Sequence, residues 1–239
     1  MTRELVYGRR PVREAVRGPR GVLELYASER ALGRETWLHD QASPRVQIAT
    51  ERELAERAGT RDHQGVVAVC EPFRYADGYE LASGAQPLLV CLDGVTDPHN
   101  LGAVCRSAEG AGATGVVLPA NRSARVTPAV CRASAGAVEH LPVAVVLNLA
   151  RFVADVKGPE LWAYAAVAEA STLLWEADFQ GGVLVVLGAE GKGIRPLVRR
   201  QCDVEIAIPL AGAVESLNVS VAAALVLFEV ARRRAVAVA

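Results

Sequence analysis

The sequence predicts an α/β protein: a parallel sheet covered by helices, preceded by a small N-terminal α/β unit. Three observations carry this. From Leu88 onward, apolar runs of β type alternate with helical stretches, the pattern of strands joined by crossover helices. Residues are 51% hydrophobic but only 5% aromatic, so the core must be built from Val, Ala and Leu, which suits strands buried on both faces. The length of 239 residues accommodates one or two domains, and the polar stretch Phe73–Gln86, with Asp77-Gly78 and Ser83-Gly84, divides the chain.

The elements follow in order. A basic helical stretch around Pro11–Arg17 leads to a strand at Val22–Tyr26 and another at Val46–Ile48. Thr50-Glu51-Arg52-Glu53 reads as a capping box, in which the Thr hydroxyl takes the third helical N–H and the Glu reaches back. Val66–Cys70 closes this N-terminal domain, residues 1–72, and 73–86 is the expected linker to a domain spanning 87–239. There, strands are expected at Leu88–Leu92, Val116–Leu118, Val143–Leu147, Leu161–Val167, Val183–Leu187 and Val204–Ile208. Helices are expected around 100–111, 127–135, 148–157 and 194–201. The last helix, from about Leu217 to Arg234, is apolar on nearly every face, so one side should pack on its own sheet and the other on a second subunit. Val226 and Phe228 are the positions where an acidic side chain should disrupt that association.

Several function classes fall away. The longest apolar run, Val221–Phe228, is eight residues, against roughly 18 for a membrane span, and the first residues carry no apolar signal segment, so a cytoplasmic location is expected. Five cysteines without a CxxC pair and four scattered histidines offer neither a disulfide framework nor a metal site. Gly110-Ala-Gly112-Ala-Thr-Gly115 matches a dinucleotide fingerprint, but a helix precedes it and a strand follows, the reverse of what that fold needs. The glycines read instead as the turn ending a helix. Gly188-Ala-Glu190-Gly191-Lys192-Gly193 lacks the first glycine and the hydroxyl of a nucleotide-triphosphate loop. It still describes a tight, acidic loop at the carboxyl edge of a parallel sheet, where ligands bind.

Two further polar loops join it. Asp93–Asn100 runs into a helix carrying Arg106, and Asn100 is placed to cap that helix. Glu215-Ser216-Leu217-Asn218-Val219-Ser220 opens the apolar terminal helix with Ser216 as the expected cap, which leaves Asn218 and Ser220 without an assigned role. Charge adds a hint. Net charge is −1, yet 24 of the 26 basic residues are Arg, and the first twenty residues hold six of them against two Glu. Arg suits bidentate phosphate contact.

The stretches DPHNLGAVCRSAEGAGATGVVLP, LGAEGKGIRPLVRRQCDVEIAIPL (187–210) and SLNVSVAAALVLFE (216–229) closely resemble the three motifs of the SpoU (TrmH-type) RNA ribose 2′-O-methyltransferases. YGRRPVREAV (7–16) and HQGVVAV (63–69) extend the resemblance to that family's N-terminal substrate-binding domain, so it covers nearly the whole chain. The two-domain layout is most similar to the bacterial enzymes that methylate a guanosine of 23S ribosomal RNA. A tRNA target or an antibiotic-resistance role within the same family is the alternative, and a non-catalytic RNA-binding protein is the rival from another class. The resemblance implies a parallel sheet with a C-terminal deep trefoil knot (the SPOUT fold), S-adenosyl-L-methionine as cofactor, a homodimer, RNA as partner, and neither metal nor membrane.

Carried over by position, it implies cofactor contacts at Gly188, Ile208 and Leu217 and catalytic roles for Asn100, Arg106, Glu190, Ser216 and Asn218. RNA contacts are expected at Arg9, Arg10 and Arg13, although Arg10-Pro11 stands where relatives often have His-Ala. Transfer of a methyl group from a sulfonium to a ribose hydroxyl needs alignment and the loss of one proton. In the family picture Arg106 is the base. A guanidinium stays protonated, so holding phosphate and stabilising the developing alkoxide is the other reading, and the sequence does not choose. Glu190 is expected to position the loop or to pair with Arg106, within a chain or across the dimer.

Overall fold

The structure, a computed structural model, describes residues 3–40 and 44–238, with side chains to 235. The described residues form two compact units, one from those of 1–74 together with Arg125–His140, the other from Tyr75–Ala124 together with those of 141–239.

The first unit is built on a four-stranded mixed sheet in the order β1-β4-β2-β3, with β1 Glu4–Tyr7, β2 Val22–Ala27, β3 Val46–Ile48 and β4 Val66–Cys70. β4 runs antiparallel to both neighbours, while β2 and β3 are parallel. β1 was not among the expected strands. α1, Arg9–Arg17, buries Pro11, Val12 and Ala15. α2 is one turn, Glu29–Leu32. α3, Glu51–Ala58, starts with the expected capping box: Glu53 N–H donates to Thr50 Oγ1 at 3.3 Å and Thr50 N–H to Glu53 Oε2 at 2.8 Å.

The second unit holds a seven-stranded sheet in the order β7-β6-β5-β10-β8-β11-β9, parallel at every pairing. Its strands are β5 Leu88–Asp93, β6 Gly115–Pro119, β7 Val143–Val146, β8 Leu161–Ala166, β9 Thr172–Leu173, β10 Gly182–Gly188 and β11 Val204–Ala207. The six expected runs all became strands; β9, two residues long, was below what a pattern can show. Leu89, Cys91, Leu184 and Val186 pack on one face with Phe152 and Val153 of α7, Leu149–Val156, and Val198 of α8, Pro196–Arg199. The alternate residues of each strand point the other way. On that side α5, Pro98–Gly110, and α9, Val219–Val238, pack on each other and against β6 and β10. Gly112, at φ 73°, turns the chain from α5 into β6, as the reversed glycine fingerprint implied.

Two expectations about chain division are corrected. Residues 73–86 are more than a connector: α4, Gly78–Ala82, docks on the second unit, its Tyr79 ring edge-on to Phe152 at 5.2 Å. Leu81 and Ala82 join that core, so the apolar side chains are there but too closely spaced to show a helical period. Residues 125–140, expected within the 87–239 domain, pack with the N-terminal residues instead. They carry α6, Pro128–Ala133, whose Val130 and Cys131 are buried, and a short 3-10 turn, Ala137–Glu139. Between them Gly136 sits at φ 91°, and a Cβ there would lie 2.6 Å from Cβ of Glu14 in α1, so only glycine allows this approach. Arg20 donates to Glu139 Oε1 at 3.1 Å, their side chains 6% and 1% exposed, and it also pairs with Glu4.

Candidate active site

Three loops leave the carboxyl ends of β5, β10 and β11, and β5 and β10 are adjacent with Gly188 in register with Asp93. The first turns into α5 under a cap from Asp97, whose carboxylate accepts from His99 N–H at 2.8 Å, with Pro98 in the first turn. Asn100 is therefore not the cap. It lies within the first turn, half-buried, and its side chain is free for another partner. Nor is Ser216 the cap of α9. The carbonyl of Asn218 accepts from Val221 and Ala222 N–H, both at 3.0 Å, and its side-chain oxygen accepts from Ser220 N–H at 2.8 Å. Asn218 heads the helix, and Ser216 lies exposed two residues ahead.

These positions bring the three motifs together on one side chain. Asn218 Nδ2 donates to Asn100 Oδ1 at 2.9 Å and to Glu190 Oε1 at 2.5 Å. Its Oδ1 also accepts from Ser220 Oγ at 2.6 Å. Two donors on the oxygen and two acceptors on the nitrogen fix the amide in one orientation, since the flipped form would face donor with donor and carboxylate with oxygen. Glu190 reaches this point from the tip of a tight turn. Gly193 N–H donates to Ala189 O at 2.9 Å, and a Cβ on Gly188 would lie 2.0 Å from the Gly193 carbonyl carbon. No side chain is possible at 188 while that turn stands.

Of the other expected residues, Arg106 is exposed on α5 and stands outside the cluster; Glu190 bonds Asn218 rather than Arg106 within one chain. Gly188 ends β10, Ile208 follows β11, and Leu217 precedes Asn218, all half-buried. The three N-terminal arginines divide. Arg9 pairs with Glu35 at 3.4 Å and its Nε donates to Gln64 O at 3.2 Å, Arg13 pairs with Glu14 at 2.8 Å, and Arg10 is exposed. Cys105, beside Arg106, is no nucleophile: burial pushes its thiol up to about 12. Among the described residues no group of His, Cys, Asp and Glu is gathered as for a metal ion, and no helix is long and apolar enough to cross a membrane.

Sequence reasoning missed two features. Ser220 was left without a role, though its spacing of two from Asn218 is that of a capping turn. Asp93 was read only as the start of a polar loop. Its side chain is 0% exposed and ion-paired with Arg195 at 2.6 Å, a partner 102 residues away that no local pattern could supply.

The backbone of the 188–193 turn offers an open edge to a ligand: at Gly191 and Gly193 a Cβ would meet nothing within 4 Å. With an amide–carboxylate cluster beside it, the turn leaves room for a ligand to approach its main chain.

Comparison with known proteins gives these features a context. Residues 87–228 match the model of the SpoU rRNA methylase family, and residues 5–76 match a model described as RNA 2′-O ribose methyltransferase substrate binding. The chain is 38% identical over 249 residues to the 23S rRNA (guanosine-2′-O-)-methyltransferase RlmB of Vibrio vulnificus, covering 98% of each. It is 42% identical over 193 residues to the RlmB of Escherichia coli, covering 79% of each. Among solved structures, the SpoU methyltransferase AviRb of Streptomyces viridochromogenes in complex with AdoMet superposes with a TM-score of 0.80 at 26% identity, over 98% of this chain and 91% of that one.

Proposed function

The chain belongs to the SpoU rRNA methylase family, and from that premise we propose that it transfers the methyl group of S-adenosyl-L-methionine to a ribose 2′-hydroxyl of RNA, at a guanosine of 23S ribosomal RNA. The observation that carries this reading is the meeting of Asn100, Glu190 and Asn218, one from each motif, in a single hydrogen-bonded cluster beside the glycine turn. The match to an RlmB over 98% of each chain, together with the match of residues 5–76 to the substrate-binding model, favours ribosomal RNA over tRNA.

The cofactor, when bound, supplies the electrophilic methyl carbon; Gly188, Ile208 and Leu217 are the positions to hold it, mainly by backbone. The chain's own side chains do the rest. Asn218, locked by Ser220, presents an amide N–H pair to Asn100 and Glu190 and so holds three loops at one spacing. Ser216, exposed two residues before it, has the role of bonding the ribose or cofactor. Arg106, exposed on α5, holds a substrate phosphate and stabilises the developing charge on the 2′-oxygen as its proton passes to water. The N-terminal unit docks RNA through Arg10 first, with Arg9 and Arg13 free to exchange their Glu partners for phosphate. A homodimer through α9, a knotted C-terminal segment and action in the cytoplasm complete the reading.

The test is direct. Purified protein and S-adenosylmethionine labelled at the methyl group are incubated with unmodified 23S ribosomal RNA and, in parallel, with unmodified tRNA, and the labelled nucleoside is mapped. Label in one 2′-O-methylguanosine is expected; label confined to tRNA, on a base, or absent refutes the proposal.

A further inference from the structure

We infer that Asp93 and Arg195 are positioning residues of the glycine turn, a clasp that sets how readily it accepts the cofactor; the inference rests on the reading that this turn binds S-adenosylmethionine. The turn leaves β10 at Gly188 and delivers the chain to α8 at Arg195. Asp93, the last residue of β5, holds both ends. Its carbonyl accepts from Ala189 N–H at 3.0 Å, at the entry. Its carboxylate accepts from Arg195 N–H at 2.7 Å through Oδ2, at the exit. The guanidinium of the same arginine closes on Oδ1, with Nε at 2.7 Å and Nη2 at 2.6 Å.

A carboxylate wholly out of water must be paired, and here both oxygens are. The pairing has a consequence for the loop it spans. Three glycines in six residues give the free chain many conformations, and ordering them on ligand binding is costly. Fastening both ends to the sheet edge removes much of that freedom beforehand. Because the clasp touches neither the methyl group nor the hydroxyl, its loss should weaken cofactor binding more than the chemical step.

The experiment uses the full chain and three measurements: calorimetric Kd for S-adenosylmethionine, the single-turnover rate at saturating cofactor, and Tm. Arg195→Gln keeps the main-chain bond but removes the charge; Arg195→Lys keeps the charge but not the planar fork. About a tenfold rise in Kd is expected for Arg195→Gln, a smaller rise for Arg195→Lys, and rates at saturation within about threefold of wild type. Asp93→Asn should follow Arg195→Gln if it folds. Lowered Tm with Kd within about twofold of wild type in both Arg195 variants would show that the pair is merely structural and overturn the inference. So would a loss confined to the rate at saturation. Wild-type protein that binds no S-adenosylmethionine overturns the reading of the turn itself, and the role of the clasp with it.

Discussion

At the scale of residues, the arrangement turns on Asn218, whose side chain joins loops from three strands while its carbonyl heads a helix. Arg106 poses the complementary case: it is exposed and makes no bond to that cluster in one chain, and the proposed function gives it the incoming substrate as partner. Arg106→Ala should therefore lower the methyl-transfer rate by about a hundredfold or more, the size of loss seen when a group that stabilises developing charge is removed. Its Kd for S-adenosylmethionine should stay within a few-fold, because the proposed role of the guanidinium is on the substrate oxygen and phosphate. Single-turnover kinetics beside calorimetry checks both halves, and near-wild-type turnover removes Arg106 from the mechanism. Asn100 and Ser216 are legible in the sequence as small polar residues at helix entrances, but which one caps is not. Several residues there can bond a free N–H, and only backbone geometry selects Asp97 and Asn218.

At the scale of elements, α9 decides two matters. Its apolar sequence runs all round, and the structure separates the faces: Val219, Ala223, Val226, Leu227 and Val230 are buried, while Val221, Leu225 and Phe228 are 47%, 38% and 52% exposed. Val226 and Phe228 are thus not equivalent, contrary to the expectation from sequence. Val226→Glu places a charge at a fully buried position and should prevent folding. Phe228→Glu should leave the circular dichroism spectrum unchanged and convert dimer to monomer in sedimentation; wild-type protein that sediments as a monomer at micromolar concentration refutes the proposed dimer. The same helix carries an acid-sensitive joint. Glu229 accepts two bonds from Arg232, both at 2.7 Å, and one from Arg233 at 2.8 Å. These hold its carboxyl down at about 2, against an ordinary 4.5, with Arg232 the largest cause and burial opposing. A depressed carboxyl contributes stability that is complete above its unfolded pKa and is lost as pH falls toward its folded one. Between about pH 4.5 and 2 the wild type should lose Tm more steeply than Glu229→Gln, and parallel curves would show that these bonds contribute nothing.

At the scale of the whole molecule, the chain visits its first compact unit twice, as Met1–Arg74 and again as Arg125–His140. The second visit supplies buried Val130, Cys131, Ala137 and Val138 and the buried Glu139 that faces Arg20. Burial pushes the Glu139 carboxyl up, against the pull of Arg20 beside it. Removing one partner of such a pair typically costs about 3–5 kcal/mol. A fragment ending at Arg74 should therefore be unfolded or molten by near-ultraviolet dichroism, although it holds every residue of the matched substrate-binding region, 5–76, but the last two. A fragment starting at residue 87 loses α4 and leaves the apolar side of 125–140 uncovered, so it should bind a hydrophobic dye strongly. A cooperative urea transition in the 1–74 fragment would show that the second visit is dispensable.

By itself, the sequence determined the α/β class, the six principal strands of the parallel sheet, the direction of the glycine turn after α5, and the places of the three polar loops. These are local or periodic properties: two-residue alternation, apolar runs, turn glycines and motif spacing are written in consecutive residues. What only the tertiary structure decided joins residues far apart. Asp93 finds Arg195 across 102 positions, Asn218 finds Asn100 across 118, and Arg20 finds Glu139 across 119. The physical reason is that a buried charge or amide is satisfied by whichever complementary group the sheet order brings within hydrogen-bond reach. That order, with β10 between β5 and β8, is fixed by how all the strands pack together and not by any one of them.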